Sequence, residues 1–321
     1  MMKTKAQSHK MIVTVLVILI SCFFVNTVNC NPQGNNTRKQ QERAILVNSV
    51  DDERGFIFLK KKLHDQNDVI IYSVNQQGLA DYGVSESMGQ AMEYAALRKD
   101  RQYFDLLAAQ TDKYYLDRAG YYYWKINAEN YAGEQISALV DDLRIFKAYY
   151  LAAQNNMGDY SKQLAYVSES IYKFDSDGKY LYDFYDDRSQ QKADYVSLFY
   201  LDMNSIDMLK AYDKQKWQEL WQNSRELLQK IEKREYGFYA GAFSYSERKY
   251  VCNENGINMV ENLNTSLNLY NADGATGSLI NVMRQEIKTN KKTFHLLKFK
   301  RRKDIRGTTL IRKISFPHSI L

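Results

Sequence analysis

The 321-residue chain has little cysteine, proline or histidine. Its three cysteines are Cys22, Cys30 and Cys252, and the first two lie in or just after an apolar N-terminal run. The remaining thiol has no internal partner, so a disulfide framework and a cysteine-based metal site are excluded and the fold must stand on its core. The histidines, His9, His64, His295 and His318, all sit toward the two ends. The middle therefore has no imidazole for a catalytic triad or a zinc site. Chemistry there falls to carboxylates, tyrosines or backbone groups, and neither metal nor cofactor is expected. The only prolines are Pro32 and Pro317, so nothing between them forces a helix to break.

What is present divides the chain. Lys3, Lys5 and Lys10 precede the apolar run MIVTVLVILISCFFV at residues 11–25. That pattern is a cleaved secretion signal over 1–30 or a short membrane anchor through residues 11–28, and LISC (19–22) also resembles a lipoprotein cleavage box. All three readings put the rest outside the cytoplasm. A polar linker follows at 31–43, then a body at 44–290. Residues 291–321 form an atypical basic tail, with ten Lys or Arg against Asp304 alone. The tail carries +9 and the first ten residues +3, so the total of +6 leaves the body at −6. An acidic body argues against nucleic acid as a partner, and a monomer is expected.

The body, 44–290, has a helical period. Helices are expected near 40–64, 85–98, 101–117, 139–154, 159–173, 203–213, 215–231, 257–270 and 275–290, with strands at DVIIYSV (68–74) and GYYYWKI (120–126). The helices pair, and the joints MGDY, DSDGKY and NADGAT hold the residues that turns require. Paired helices without a heptad period or strict repeat suggest an all-α fold, an α/α barrel or toroid. About nine helices are counted, and the abrupt change at residue 291 from the acidic body to a basic segment implies that the last hairpin is missing or replaced, for instance by a shifted reading frame. There are 26 tyrosines. In a secreted helical protein aromatic rims stack on sugar rings, and Tyr123 and Trp124 are the candidates.

Two stretches place carboxylates in sensitive positions. In VSESMGQAMEYAALRKD (84–100), Ser85 or Ser87 is poised to cap a helix, Ser87 and Gln90 fit a capping box, and Met88, Met92, Ala95 and Ala96 form the buried stripe. Glu86 then lies in the first turn, either as a plain complement to the helix dipole or as a working acid. In ISALVDDLRIFKAYYLAA (136–153), Leu139, Leu143, Phe146 and Tyr150 define the apolar face. Asp142 falls on its edge and Asp141 on the opposite side, where an N-cap role suits it. An acid on a buried face is costly unless paired or functional.

These residues resemble glycoside hydrolase family 8. VSESMG is similar to that family's first motif, and DDLRI, with Asp142 lying 56 residues after Glu86, to its second. The resemblance implies an (α/α)6 barrel that hydrolyses β-linked polysaccharide with inversion, Glu86 being the general acid and Asp142 holding the distorted sugar. The family's Asp-Ala-x-Arg base motif is absent. INMVENLN (257–264) is its nearest counterpart and makes Glu261 the base candidate, with Asn264 in place of the Arg. Glu254, Asp202 and Asp273 stay open for that role. The N-terminal segment and the looser match point to the branch acting on bacterial exopolysaccharide, including the amino-sugar polymers of biofilms. The rival reading is a surface polysaccharide-binding or assembly protein on the same fold without turnover.

Overall fold

The computed structural model describes residues 50–74, 80–231, 238–252, 258–274, 279–281, 298–303 and 309–315. The expected signal or anchor, the linker, most of the helix at 275–290, and Glu254 lie outside them. Eight helices have defined bounds: α1 Val50–Lys62, α2 Ser85–Arg98, α3 Arg101–Tyr114, α4 Leu139–Gln154, α5 Ser161–Phe174, α6 Met203–Tyr212, α7 Lys214–Gln229 and α8 Met259–Asp273. Among the described residues no helix is long and apolar enough to cross a membrane.

The helices α2, α4, α6 and α8 form one layer, each packed on the next, and α3, α5 and α7 back it from outside. This alternation is the α/α barrel arrangement expected from the helical hairpins. The stripe Met88, Met92, Ala95 and Ala96 is fully buried and shares the main core with Leu139, Leu143 and Phe146 of α4. Gly89 sets the distance between these two helices. A Cβ there would stand 3.1 Å from the Arg144 Cβ and 3.5 Å from the Ile145 nitrogen, so glycine fits this crossing as it stands and a larger residue would require the neighbouring helix to give.

Each step from an outer helix back to an inner one carries short antiparallel strands. Strands β1 (Ser73–Val74), β2 (Ala80–Val84) and β3 (Lys125–Asn127) form one sheet, with Gly83 opposite Ile126 and Val84 opposite Lys125. A pair, β4 (Tyr185–Asp186) and β5 (Gln191–Lys192), precedes a second sheet of β6 (Tyr195–Ser197), β7 (Ala242–Ser244) and β8 (Lys249–Val251). The two expected strands shrink to their ends, β1 and β3, because the segments before them make single bridges, His64 to Ile70 and Leu116 to Tyr122. In the basic tail, β9 (Lys298–Lys303) pairs antiparallel with β10 (Thr309–Ser315).

The capping expectation for α2 needs correction. Its N-cap is Val84, with no side-chain cap, and Ser85 is already helical. The Ser85 hydroxyl instead donates to Asp141 Oδ2 at 3.0 Å, so a residue read as a local cap ties two helices together.

Candidate active site

The N-termini of the inner helices and the strands between them enclose a cleft of about 790 Å3. Each inner helix brings a polar residue to it from its first turn or N-cap: Glu86 from α2, Asp141 from α4, Asp202 at the cap of α6, Asn258 and Glu261 from α8. Aromatic side chains make the walls, with Tyr72, Tyr82 and Trp124 on the first sheet and Phe184, Tyr195 and Tyr200 on the segment before α6.

Arg144, largely buried on α4, joins the two acids nearest the crossing. Its guanidinium meets Asp141 Oδ1 at 2.8 Å and Glu86 Oε1 at 3.2 Å. The two acids differ in setting. The Glu86 side chain is 40% exposed and accepts a further bond from Gln90 Nε2 at 3.1 Å. Asp141 is buried, and that burial pushes its carboxyl up to about 7 against the pull of Arg144. One turn further along α4, Lys147 pairs with buried Glu93 at 2.8 Å and lies 4.0 Å from Asp202. Among the described residues both cations lining the cleft are therefore already engaged.

Across the cleft, Glu261 accepts a bond from Asn258 Nδ2 at 2.7 Å, and burial raises its carboxyl, the Asn258 amide pulling the other way. Asp183 is buried in the wall, where the Ser197 hydroxyl donates to it at 2.6 Å and burial pushes it up to about 6. Among the described residues no group of His, Cys, Asp and Glu is arranged to hold a metal.

No family model matches the chain. The putative lipoprotein YdaJ of Bacillus subtilis (strain 168) is 25% identical over 285 residues, covering 87% of this chain and 75% of that protein. Among solved structures, a novel alpha-amylase from Clostridium perfringens superposes with a TM-score of 0.64 at 24% identity, over 74% of this chain and 70% of that one. The endoglucanase Cel10 from Klebsiella pneumoniae, a family 8 glycosyl hydrolase, gives 0.59 at 17% identity, over 73% and 78% of the two chains. The fold is that of glycoside hydrolase family 8.

On this family 8 fold the residues singled out from sequence separate. Glu86, Glu261 and Trp124 line the cleft. Asp142 does not. It is fully buried beside the Asp175 carboxyl of the segment after α5, and Asp141 lines the cleft rather than Asp142, to which the family resemblance gave the site role. The projection put Asp142 at the edge of the apolar face, and it is buried there; nearly every residue of α4 from Leu139 to Tyr149 is buried, so this inner helix has a cleft side and a core side. Tyr123 also turns away from the cleft. Its hydroxyl donates to Asp117 and its ring packs edge-on against Tyr121 at 5.7 Å. Of the alternative base candidates, Asp202 lines the cleft but caps α6, accepting the Asn204 and Ser205 amides. Asp273 is held by Arg225 and Gln229 at the far end of α8.

Sequence reasoning passed over Asp141 as a cleft acid, Arg144, Lys147, Asp183 and the Tyr72 and Tyr82 pair. One signal for the first three was present. Asp141, Arg144 and Lys147 recur every third residue on a helix whose first three turns are otherwise apolar but for Asp142, which marks a polar stripe facing something other than core.

Proposed function

We propose that the protein is an extracytoplasmic glycoside hydrolase that cleaves β-linked bacterial exopolysaccharide within the chain and inverts the anomeric centre. The observation that carries this reading is the set of carboxylates brought to one aromatic-walled cleft by the N-termini of successive inner helices, with Glu86 and Asp141 on one guanidinium. Glu86, the more open of the two, donates its proton to the departing glycosidic oxygen. Glu261, from the helix that closes the other side, takes a proton from the water that attacks the anomeric carbon. Inversion requires room for that water, about 6.5–9.5 Å between the two carboxyl groups. Asp141, held by Ser85 and Arg144, replaces Asp142 as the residue that grips the sugar at the cut.

The charge of the cleft supports a substrate class. Among the described residues six carboxylates line it, from Glu86, Glu134, Asp141, Asp183, Asp202 and Glu261, against Arg144 and Lys147, whose charges are spent on acids as that of Lys125 beside it is spent on Glu134. Such a site disfavours uronate polymers and suits neutral or amine-bearing sugars. The apolar run at 11–25 after three lysines, and the likeness to a putative lipoprotein, support a place outside the cytoplasm, either secreted or anchored at the outer face of the cell membrane. The protein works as a monomer on its polymer.

The second reading, a polysaccharide-binding protein without turnover, is favoured by one feature: Asn264 stands where the base motif would place an arginine. Reducing-end release from β-glucan, chitosan, xylan and a poly-amino-sugar separates the two readings. The hydrolase reading predicts release from at least one polymer, with the α-anomer appearing first by proton NMR. Tight binding to a polymer with no release from any would favour the second reading.

A further inference from the structure

We propose that Tyr72, backed by the stacked ring of Tyr82, forms a stacking platform for one pyranose ring of the polymer in the cleft that Glu86 also lines. Resting on the polysaccharide reading above, this adds a sugar subsite to it. Of the large hydrophobic side chains left exposed among the described residues, only Tyr72 and Val260 line the cleft, and Tyr72 is 48% exposed. An aromatic ring held half in water on a concave wall is a cost to the free protein and a contact waiting for a partner.

The ring is held in place. Tyr72 N donates to the Tyr82 carbonyl at 3.1 Å, and the two rings stack at 5.4 Å with 28° between their planes. The Lys125 ammonium lies 4.7 Å from the centre of the Tyr82 ring and 5.4 Å from that of Trp124. Glu134 clamps that ammonium at 2.9 Å and accepts the Trp124 Nε1 proton at 3.1 Å. Trp124, Glu134, Lys125, Tyr82 and Tyr72 thus make one continuous rail on the first sheet. Glu134 ties up the Lys125 ammonium, so what the rail leaves open is the face of the half-exposed Tyr72 ring, and its ligand is a sugar turning its C–H face to an aromatic ring rather than an anion. Tyr72 at the outer end of the rail and Glu86 line the same cleft.

The test is calorimetric binding, so that it does not depend on turnover. Cellohexaose, xylohexaose, the hexamer of glucosamine and the hexamer of N-acetylglucosamine are titrated into the wild type and into Tyr72→Ala, Tyr72→Phe and Tyr72→Trp, with folding checked by circular dichroism. A stacking contact of about 0.5–1.5 kcal/mol corresponds to about a 2- to 12-fold loss of affinity in Tyr72→Ala. Tyr72→Phe and Tyr72→Trp retain binding within about 2-fold, which a hydroxyl contact would not allow. Equal affinity of wild type and Tyr72→Ala overturns the platform, and so does failure of the wild type to bind any of the four hexamers. Weakened binding by Tyr72→Ala in a protein with no turnover would keep the platform while rejecting the hydrolase reading.

Discussion

Arg144 holds two carboxylates whose settings differ, and the proposed hydrolase reading gives them different work. Glu86 is open enough to meet a substrate oxygen, whereas Asp141 is buried and fixed from two sides by Ser85 and Arg144. Asp142, one residue on, touches the core instead. Exchanging each aspartate for asparagine separates them. Asp141→Asn is expected to lower kcat/KM by about 10²-fold or more, in the range of a positioned catalytic group, with folding intact. Asp142→Asn should leave kcat/KM within a few-fold. Steady-state kinetics on the best polymer reads both, and a larger loss in Asp142→Asn would return the role to that residue. At this scale Glu86 was legible, because its motif sits at a helix start whose buried stripe can be counted from the letters. The choice between Asp141 and Asp142 was not, because helical projection gives an angle and not what stands there.

At the scale of the elements, the close passage of α2 over α4 brings Glu86 to Arg144, and Gly89 permits it. A Gly89→Val change should push the helices apart, cost about 1–3 kcal/mol as overpacking does, and lower activity without touching a charged group. Urea unfolding with parallel kinetics checks this, and unchanged stability would contradict the close-crossing account. A second element contact is acidic. Asp142 of α4 faces Asp175 after α5; both are fully buried, and Asp175 Oδ1 accepts the Ser137 hydroxyl. Burial raises both, Asp175 to about 7 and Asp142 well above the ordinary carboxylate range. The folded pair keeps protons that the unfolded chain gives up above about pH 4, so stability should fall as pH rises from about 4 toward 7 and beyond. Thermal melts from pH 5 to 8 should show that decline, less steep in Asp142→Asn, and a wild type that gains stability over this range would contradict the shared-proton account. Helix positions and most turns were legible from period and from Gly, Asn and Asp residues. The short strands were not, since two- and three-residue ladders are fixed by the helices they connect and leave no period of their own.

At the scale of the whole molecule, the acidic body between basic ends was visible by counting, and the alternation of inner and outer helices followed from paired periods and short joints. The cleft was not visible, because it is made where inner helices begin together, and Glu86, Asp141, Asp202 and Glu261 are far apart in sequence. Their convergence also sets the local field, since helix N-termini carry partial positive charge and the acids gathered there answer it. The account rests on one of these acids giving up a proton to a leaving sugar. Glu86→Gln keeps the size of the side chain and its reach to Arg144 and Gln90 but removes that proton. The most direct measurement is the rate of reducing-end release by this variant, beside the wild type, on whichever polymer the wild type cuts best, with the far-ultraviolet circular dichroism of both recorded. The account predicts a fall of about 10²–10⁴-fold with the fold unchanged. A well-folded Glu86→Gln protein that cuts the polymer as fast as the wild type would contradict it.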